Sequence, residues 1–243
     1  RLDAFDDLLT RQLLWSALWN MVRDQQLSSI EYIALAREKA VLEKNTELLD
    51  SILQYCLAAL GRYVPDSVRG EQFHAFFETA REVLLRGEVT GDAQIMWARS
   101  LIDSAASLED IQYLTRVADG EVVFEGLAVD QDMRWSIAAK HVAYGMPGAA
   151  ERVTAEAQRD PSDRGVRAKL RCETSSPAAE AKASAWERFN GEGYGSLYLT
   201  GAAMSGFNWA EQREVLEPYV EAYFGALPNV FRTKDKEFAS DYF

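Results

Sequence analysis

Apolar residues recur along this chain three and four positions apart and almost nowhere in strict alternation. The pattern predicts helices joined by short turns. The first runs from about Ala4 to Asp24. Phe5, Leu8, Leu9, Trp15, Trp19 and Val22 line one face, and Leu14, Leu18 and Met21 widen it into a stripe broad enough for contacts on two sides. Ser28, with Glu31 three residues on, spells a capping box for the second helix. Asn45 opens a third, carrying Leu48, Leu49, Ile52, Leu53, Cys56 and Leu60, with Gly61 as its expected left-handed stop. After Pro65 a fourth spans about Gly70 to Arg86. Its Phe73, Phe76, Phe77, Ala80 and Leu84 point inward, and Gly87 closes it. Asp92 is expected to cap a fifth, with Ile95, Met96 and Ile102 in the core. Ser107 and Asp110 cap a sixth that holds Ile111, Leu114 and Val117, and Asp119-Gly120 reads as a turn.

Val122-Val123-Phe124 is the one place where a short extended segment fits. Beyond it, Asp130 caps a helix that Gly145 ends. Pro147 is placed at the first position of the next helix, which reaches about Asp160. Asp163 to Cys172 gives a short helix, and Ser176-Pro177 opens another through Trp186 and Phe189. The glycine-rich stretch from Asn190 to Phe207 reads equally as a loop or a poor helix. A last long helix begins near Asn208 or Ala210 and carries Val215, Leu216, Tyr219, Tyr223 and Phe224. It should bend or break at Pro218. Phe231 and Phe238 are assigned to a terminal helix. The sum is about a dozen helices. The fold class is therefore all-α, read as a HEAT-like α-solenoid, a right-handed superhelix of stacked antiparallel helix pairs, with a compact bundle as the alternative. No linker is long or polar enough to divide the chain, so residues 1–243 are expected to form one domain.

Composition narrows the partners. With 48% hydrophobic residues the chain can fill a sizeable core. A formal charge of −12 counts against nucleic acid and against an anionic membrane surface as partners. The acidity fits a solvated surface or, alternatively, an acidic cavity wall that favours cationic ligands. No apolar run approaches the roughly 18 residues that cross a bilayer. Cys56 and Cys172 form no CxxC pair, which fits a reducing cytoplasm. The chain starts at Arg1 with neither a methionine nor a signal peptide, so a fragment of a longer protein is expected.

Few residues are arranged for chemistry. Of the two histidines, His74 sits beside three phenylalanines and His141 among alanines. Neither belongs to a His-Glu-x-x-His pair, which would set two imidazoles one turn apart on zinc with glutamate as general base. No nucleophile elbow and no phosphate loop are present. The alternating glycines of Gly191–Gly195 lack the strand-turn-helix setting of a dinucleotide loop. Carboxylate pairs such as Asp6-Asp7 and Glu109-Asp110 fall at helix starts, where they complement the dipole. No catalytic residue and no metal ligand is therefore assigned. Arg134-Trp135 stands out: either a buried tryptophan with a bridging arginine, or an arginine facing a substrate cavity. The six tryptophans read as core.

One ordered set of residues goes further. It comprises Gly126–Gly145 (GLAVDQDMRWSIAAKHVAYG), Arg159–Gly165 (RDPSDRG), Ser175–Trp186 (SSPAAEAKASAW) and Glu214–Phe231 (EVLEPYVEAYFGALPNVF). Together with Gln12–Ala36, this set resembles the C-terminal helical domain of the bacterial aminopeptidase N family, gluzincin metallopeptidases similar in this part to the endoplasmic-reticulum aminopeptidases. The resemblance spans nearly the whole chain and departs from the family pattern around Tyr194. It implies that zinc and catalysis reside in a preceding thermolysin-like domain. It also implies that this domain caps the active site as a bowl, walls a peptide chamber and moves to open and close it. The implied partners are peptide substrates and the catalytic domain of the same parent chain, with Arg134 as the candidate substrate-facing residue. A stand-alone α-solenoid that binds a protein or peptide is the competing expectation.

Overall fold

Several helix starts in this chain are set by short polar side chains that take up orphan amide groups. Asp7, Asn45, Ser107, Asp130, Ser162 and Ser196 each accept a backbone N–H from the first turn they precede. The computed structural model describes residues 5–242, so the expected helix start at Ala4 lies outside the described residues. Among the described residues there are fourteen α-helices and no strand. They group into two compact units that divide between Val129 and Asp130.

The first unit holds α1 (Leu8–Arg23), α2 (Ser29–Lys39), α3 (Thr46–Arg62), α4 (Asp66–Arg86), α5 (Gly91–Ser104) and α6 (Leu108–Ala118). Here α2 packs on α3, α3 on α5, and α4 on α5. Tyr32, Ile33, Leu49, Ile52, Leu53, Leu60, Phe76, Phe77, Leu84, Trp97 and Leu101 fill the space between them. Only part of the broad α1 stripe is used. Trp15 and Val22 are buried, whereas Phe5, Leu8, Leu9, Leu13 and Met21 face outward.

Several local expectations in this unit are corrected. Gly61 does not stop α3, which continues to Arg62. The stop is Pro65: the residue before a proline is driven out of helical geometry, and the amides of Tyr63 and Val64 both fold back onto Ala59 O. The same proline starts α4 early, at Asp66. Gly87, at φ 65°, ends it in the left-handed conformation expected of glycine. The Ser28 hydroxyl makes no capping bond. Its neighbour Ser29 instead donates to Tyr63 O at 2.9 Å. Thr90, not Asp92, occupies the cap position of α5. On that helix Ile95 and Met96 are only partly buried, and Trp97 and Leu101 take the core. Val122–Phe124 pairs with nothing as a strand, although Phe124 is buried.

The second unit holds α7 (Gln131–Ala143), α8 (Ala149–Arg159), α9 (Asp163–Thr174), α10 (Ala179–Asn190), α11 (Leu197–Phe207), α12 (Arg213–Leu216), α13 (Pro218–Thr233) and α14 (Lys236–Tyr242). Here α7 packs on α8 and α9, and α9 lies closely against α11. Pro147 is not the first helical residue. It sits in a turn closed by Ala149 N–H on Met146 O, with Gly148 at φ 77°, so α8 begins two residues later. The glycine-rich stretch resolves into a loop followed by α11, which Ser196 caps. Pro218 does mark a break, as the first residue of α13. Phe231 belongs to that helix and is exposed, so of the two expected phenylalanines only Phe238 lies on α14.

Candidate functional site

The residues singled out around Arg134 converge on α7, α8 and the turn into α9. The Arg134 guanidinium pairs through Nε with Glu156 Oε2 at 3.2 Å and donates from Nη2 to Gln131 Oε1 at 2.8 Å. Glu156 is 3% exposed. It also accepts from Gln131 Nε2 at 3.0 Å and pairs with Arg159 at 2.7 Å. A buried carboxylate is tolerated only with such company. Next along α7, the buried Trp135 donates Nε1–H to Asp160 Oδ2 at 3.0 Å. The Ser162 hydroxyl first, and then the Trp135 indole, hold the Asp160 carboxyl below its ordinary range. Gly165 lies so close to this turn that a Cβ there would stand 2.0 Å from Asp160 O. Arg134, Trp135, Asp160 and Gly165, far apart in sequence, are thus parts of one junction.

A second polar junction ties helix ends together. Lys182 is fully buried, and its Nζ donates to Thr174 O at 2.9 Å and Phe207 O at 2.6 Å, the carboxyl ends of α9 and α11. Helix ends of this polarity favour a cation, and the Phe207 ring lies 5.0 Å from the ammonium. Burial pulls the Lys182 pKa down to about 8. Gln212 is also buried. Its Nε2 donates to Ala143 O at 2.9 Å and Ser175 O at 2.8 Å, closing the ends of α7 and α9. Between α9 and α11 the backbones nearly touch: a Cβ on Gly206 would stand 2.1 Å from Arg171 O.

Beyond these junctions, α10, α11, α13 and α14 enclose a cavity of about 810 Å³. Trp186, Phe207, Tyr219, Tyr223, Phe224 and Tyr242 form much of its wall. Trp186 packs against Tyr219 with ring centres 5.3 Å apart, and Tyr223 stacks on Tyr242 at 5.6 Å. Asp241, near the end of α14, is the one charged side chain on the wall among the described residues. Sequence reading missed this site. Tyr219, Tyr223 and Phe224 stand at helical spacing in the sequence, but that spacing does not distinguish a cavity wall from a packed core.

In the first unit, His74 is half exposed and holds the buried Asp110 carboxylate through Nδ1 at 2.9 Å. Asp110 therefore turns inward and accepts the Ala106 amide at 3.3 Å, while Ser107 takes the first-turn amide of α6. His141 is buried on α7. A hollow of about 440 Å³ beside α3 and α5 is bordered by Asp50, Asp92, Asp103 and Arg99. Among the described residues no group of three or more histidine, cysteine or acidic side chains is placed to hold a metal ion. No helix among them is long and apolar enough to cross a membrane. The described residues thus do not fit a zinc centre.

Residues 2–242 match the model of one protein family, described as the ERAP1-like C-terminal domain. The chain is also 31% identical over 238 residues to aminopeptidase N of Streptomyces lividans. That similarity covers 98% of this chain and 28% of the relative, so the chain spans less than a third of the length of the protein it matches.

Proposed function

Since the chain belongs to the ERAP1-like C-terminal domain family, we propose that it is the non-catalytic helical part of a zinc-dependent aminopeptidase. In this reading it caps the active site of a parent chain and walls the chamber in which peptides lose their N-terminal residues. Zinc, and the groups that activate water on it, belong to a catalytic domain elsewhere in that parent. The observation that carries the reading is the similarity to aminopeptidase N along 98% of this chain. The HEAT-like stacking belongs to the same reading and is supported within each unit by helices that contact their first and second neighbours, as α3 does α4 and α5, and α7 does α8 and α9. Two buried free cysteines suit a cytoplasmic setting.

Outward-facing Leu8, Leu9 and Leu13 on α1 suit a surface that a neighbouring domain of the parent covers. Arg134 is the residue assigned to the chamber side, held in place by Glu156. The test is the parent enzyme with and without residues 1–243, assayed for release of N-terminal residues from peptides of increasing length. Deletion should abolish or broaden length selectivity, and the chain alone should hydrolyse nothing. Selectivity unchanged by the deletion would overturn the chamber role. A reading frame upstream of Arg1 without His-Glu-x-x-His would leave the stand-alone binding module. Arg134→Ala with unchanged kinetics and lowered stability would confine that residue to the scaffold.

A further inference from the structure

The wall of the cavity between α10, α11, α13 and α14 combines two properties that seldom coincide by packing alone. Its surface is aromatic on several sides, and its one charged side chain among the described residues is a carboxylate. Ring faces carry negative charge density and attract cations, by an amount that grows as water is excluded. Asp241 adds a full negative charge, and its place at the carboxyl end of α14 adds the partial negative charge of that terminus. No described residue forms an ion pair or hydrogen bond with the Asp241 carboxylate. Lys182, the cation over the wall residue Phe207, is committed to two carbonyl oxygens. The cavity is open to solvent, with Tyr198 71% and Phe224 64% exposed on its rim. Its size, about 810 Å³, lies in the range of small-ligand sites and exceeds what one buried side chain would fill.

We propose that this cavity binds the basic side chain of a peptide, an arginine or lysine flanked by apolar residues, with Asp241 as its counter-charge and Trp186, Tyr219, Phe224 and Tyr242 around its stem. The charge selects the class: an acidic side chain would meet Asp241 with no cation to offset it, and a neutral one would keep its contact with the rings but forgo the ion pair and the attraction of a cation to the ring faces. The inference rests on the peptide-handling reading above and adds to it a preference for one residue class.

The experiment titrates the 243-residue chain by calorimetry with three blocked tripeptides: acetyl-Leu-Arg-Leu-amide, the citrulline peptide of the same shape but no charge, and the glutamate peptide. The arginine peptide should bind about tenfold more tightly than the citrulline peptide, and the glutamate peptide should not bind. Asp241→Asn, an exposed substitution that leaves helicity by circular dichroism intact, should erase the difference between arginine and citrulline. Phe224→Ala on the open rim should weaken both. Equal affinity for arginine and citrulline, no binding of the arginine peptide, or discrimination that survives Asp241→Asn would each overturn the proposal. Peptidase activity of the parent is assayed separately. An active parent with a non-discriminating cavity sinks only this inference. A discriminating cavity in a parent without peptidase activity sinks only the proposed function.

Discussion

Of the twelve largest fully buried side chains among the described residues, eleven stand in the first unit, from Tyr32 to Leu101, and the twelfth is Lys182 in the second. The first unit is held by apolar volume. In the second, groups that bridge backbone carbonyls of separate helices carry much more of the work: Lys182 between α9 and α11, and Gln212 between α7 and α9. Close approach at Gly206 brings α9 and α11 near enough for Lys182 to reach both. Apolar burial is non-directional and tolerates repacking. Bridges between helix ends are directional, and each fixes one arrangement at the cost of a partner left unsatisfied when it is lost. One family domain therefore contains two different ways of fixing helices against each other.

The comparison makes its largest prediction in the apolar unit. Phe76→Ala should cost about 3–5 kcal/mol through a cavity among Trp97 and its neighbours. Hydrogen exchange should show the loss across α3–α5. Equal loss over residues 130–242 would mean that the two cores melt as one. Next comes the close approach. Gly206→Ala forces α9 and α11 apart and should cost about 2–3 kcal/mol by urea denaturation. A neutral result would show that the helices slide freely there.

Lys182→Met leaves two carbonyls without their donor and should cost about 1–2 kcal/mol at neutral pH. Its pH signature has a fixed sign. The folded-state pKa of about 8 lies below the ordinary 10.5. Between those values the unfolded chain holds more protons, so the contribution of Lys182 to stability rises with pH across that window. In Lys182→Met that rise should vanish, and the gap to the unsubstituted chain should widen from about pH 8 upward. The smallest effect is a gain. Gly61, inside α3 with nothing within 4 Å of its missing Cβ, should as alanine add about 0.5–1 kcal/mol in thermal denaturation.

The apolar unit was also the more legible one. Helical spacing located α1–α6, and most residues placed inward on α3 and α4 are buried, because a 3.6-residue period is a local property of the sequence. Most errors there fall at ends, where Pro65 overrode Gly61 and the Ser28 hydroxyl makes no capping bond. In the second unit Asp130, Gly145 and the break at Pro218 were readable for the same local reason. What holds that unit together was not. That Lys182 would reach Thr174 O and Phe207 O depends on which helix ends meet, and no period encodes that. Arg134-Trp135 was flagged as a pair, but its partners Glu156 and Asp160 come from the next helix and its end. Asp241 stood as one acidic residue among many until folding placed it on an aromatic wall.

Gln212 links Ala143 and Ser175 across 69 and 37 positions of chain. Such contacts have a temporal meaning. Long closures are paid for in loop entropy before they return anything, so they form late. As the chain leaves the ribosome from its N-terminus, every partner in the first unit is available before α7 is complete. The ends of α7 and α9 must wait for residue 212, their carbonyls bonded to water in the interval. Synthesis itself thus orders the assembly, with the apolar half finished first and the ends of α7 and α9 locked only once Gln212 has arrived.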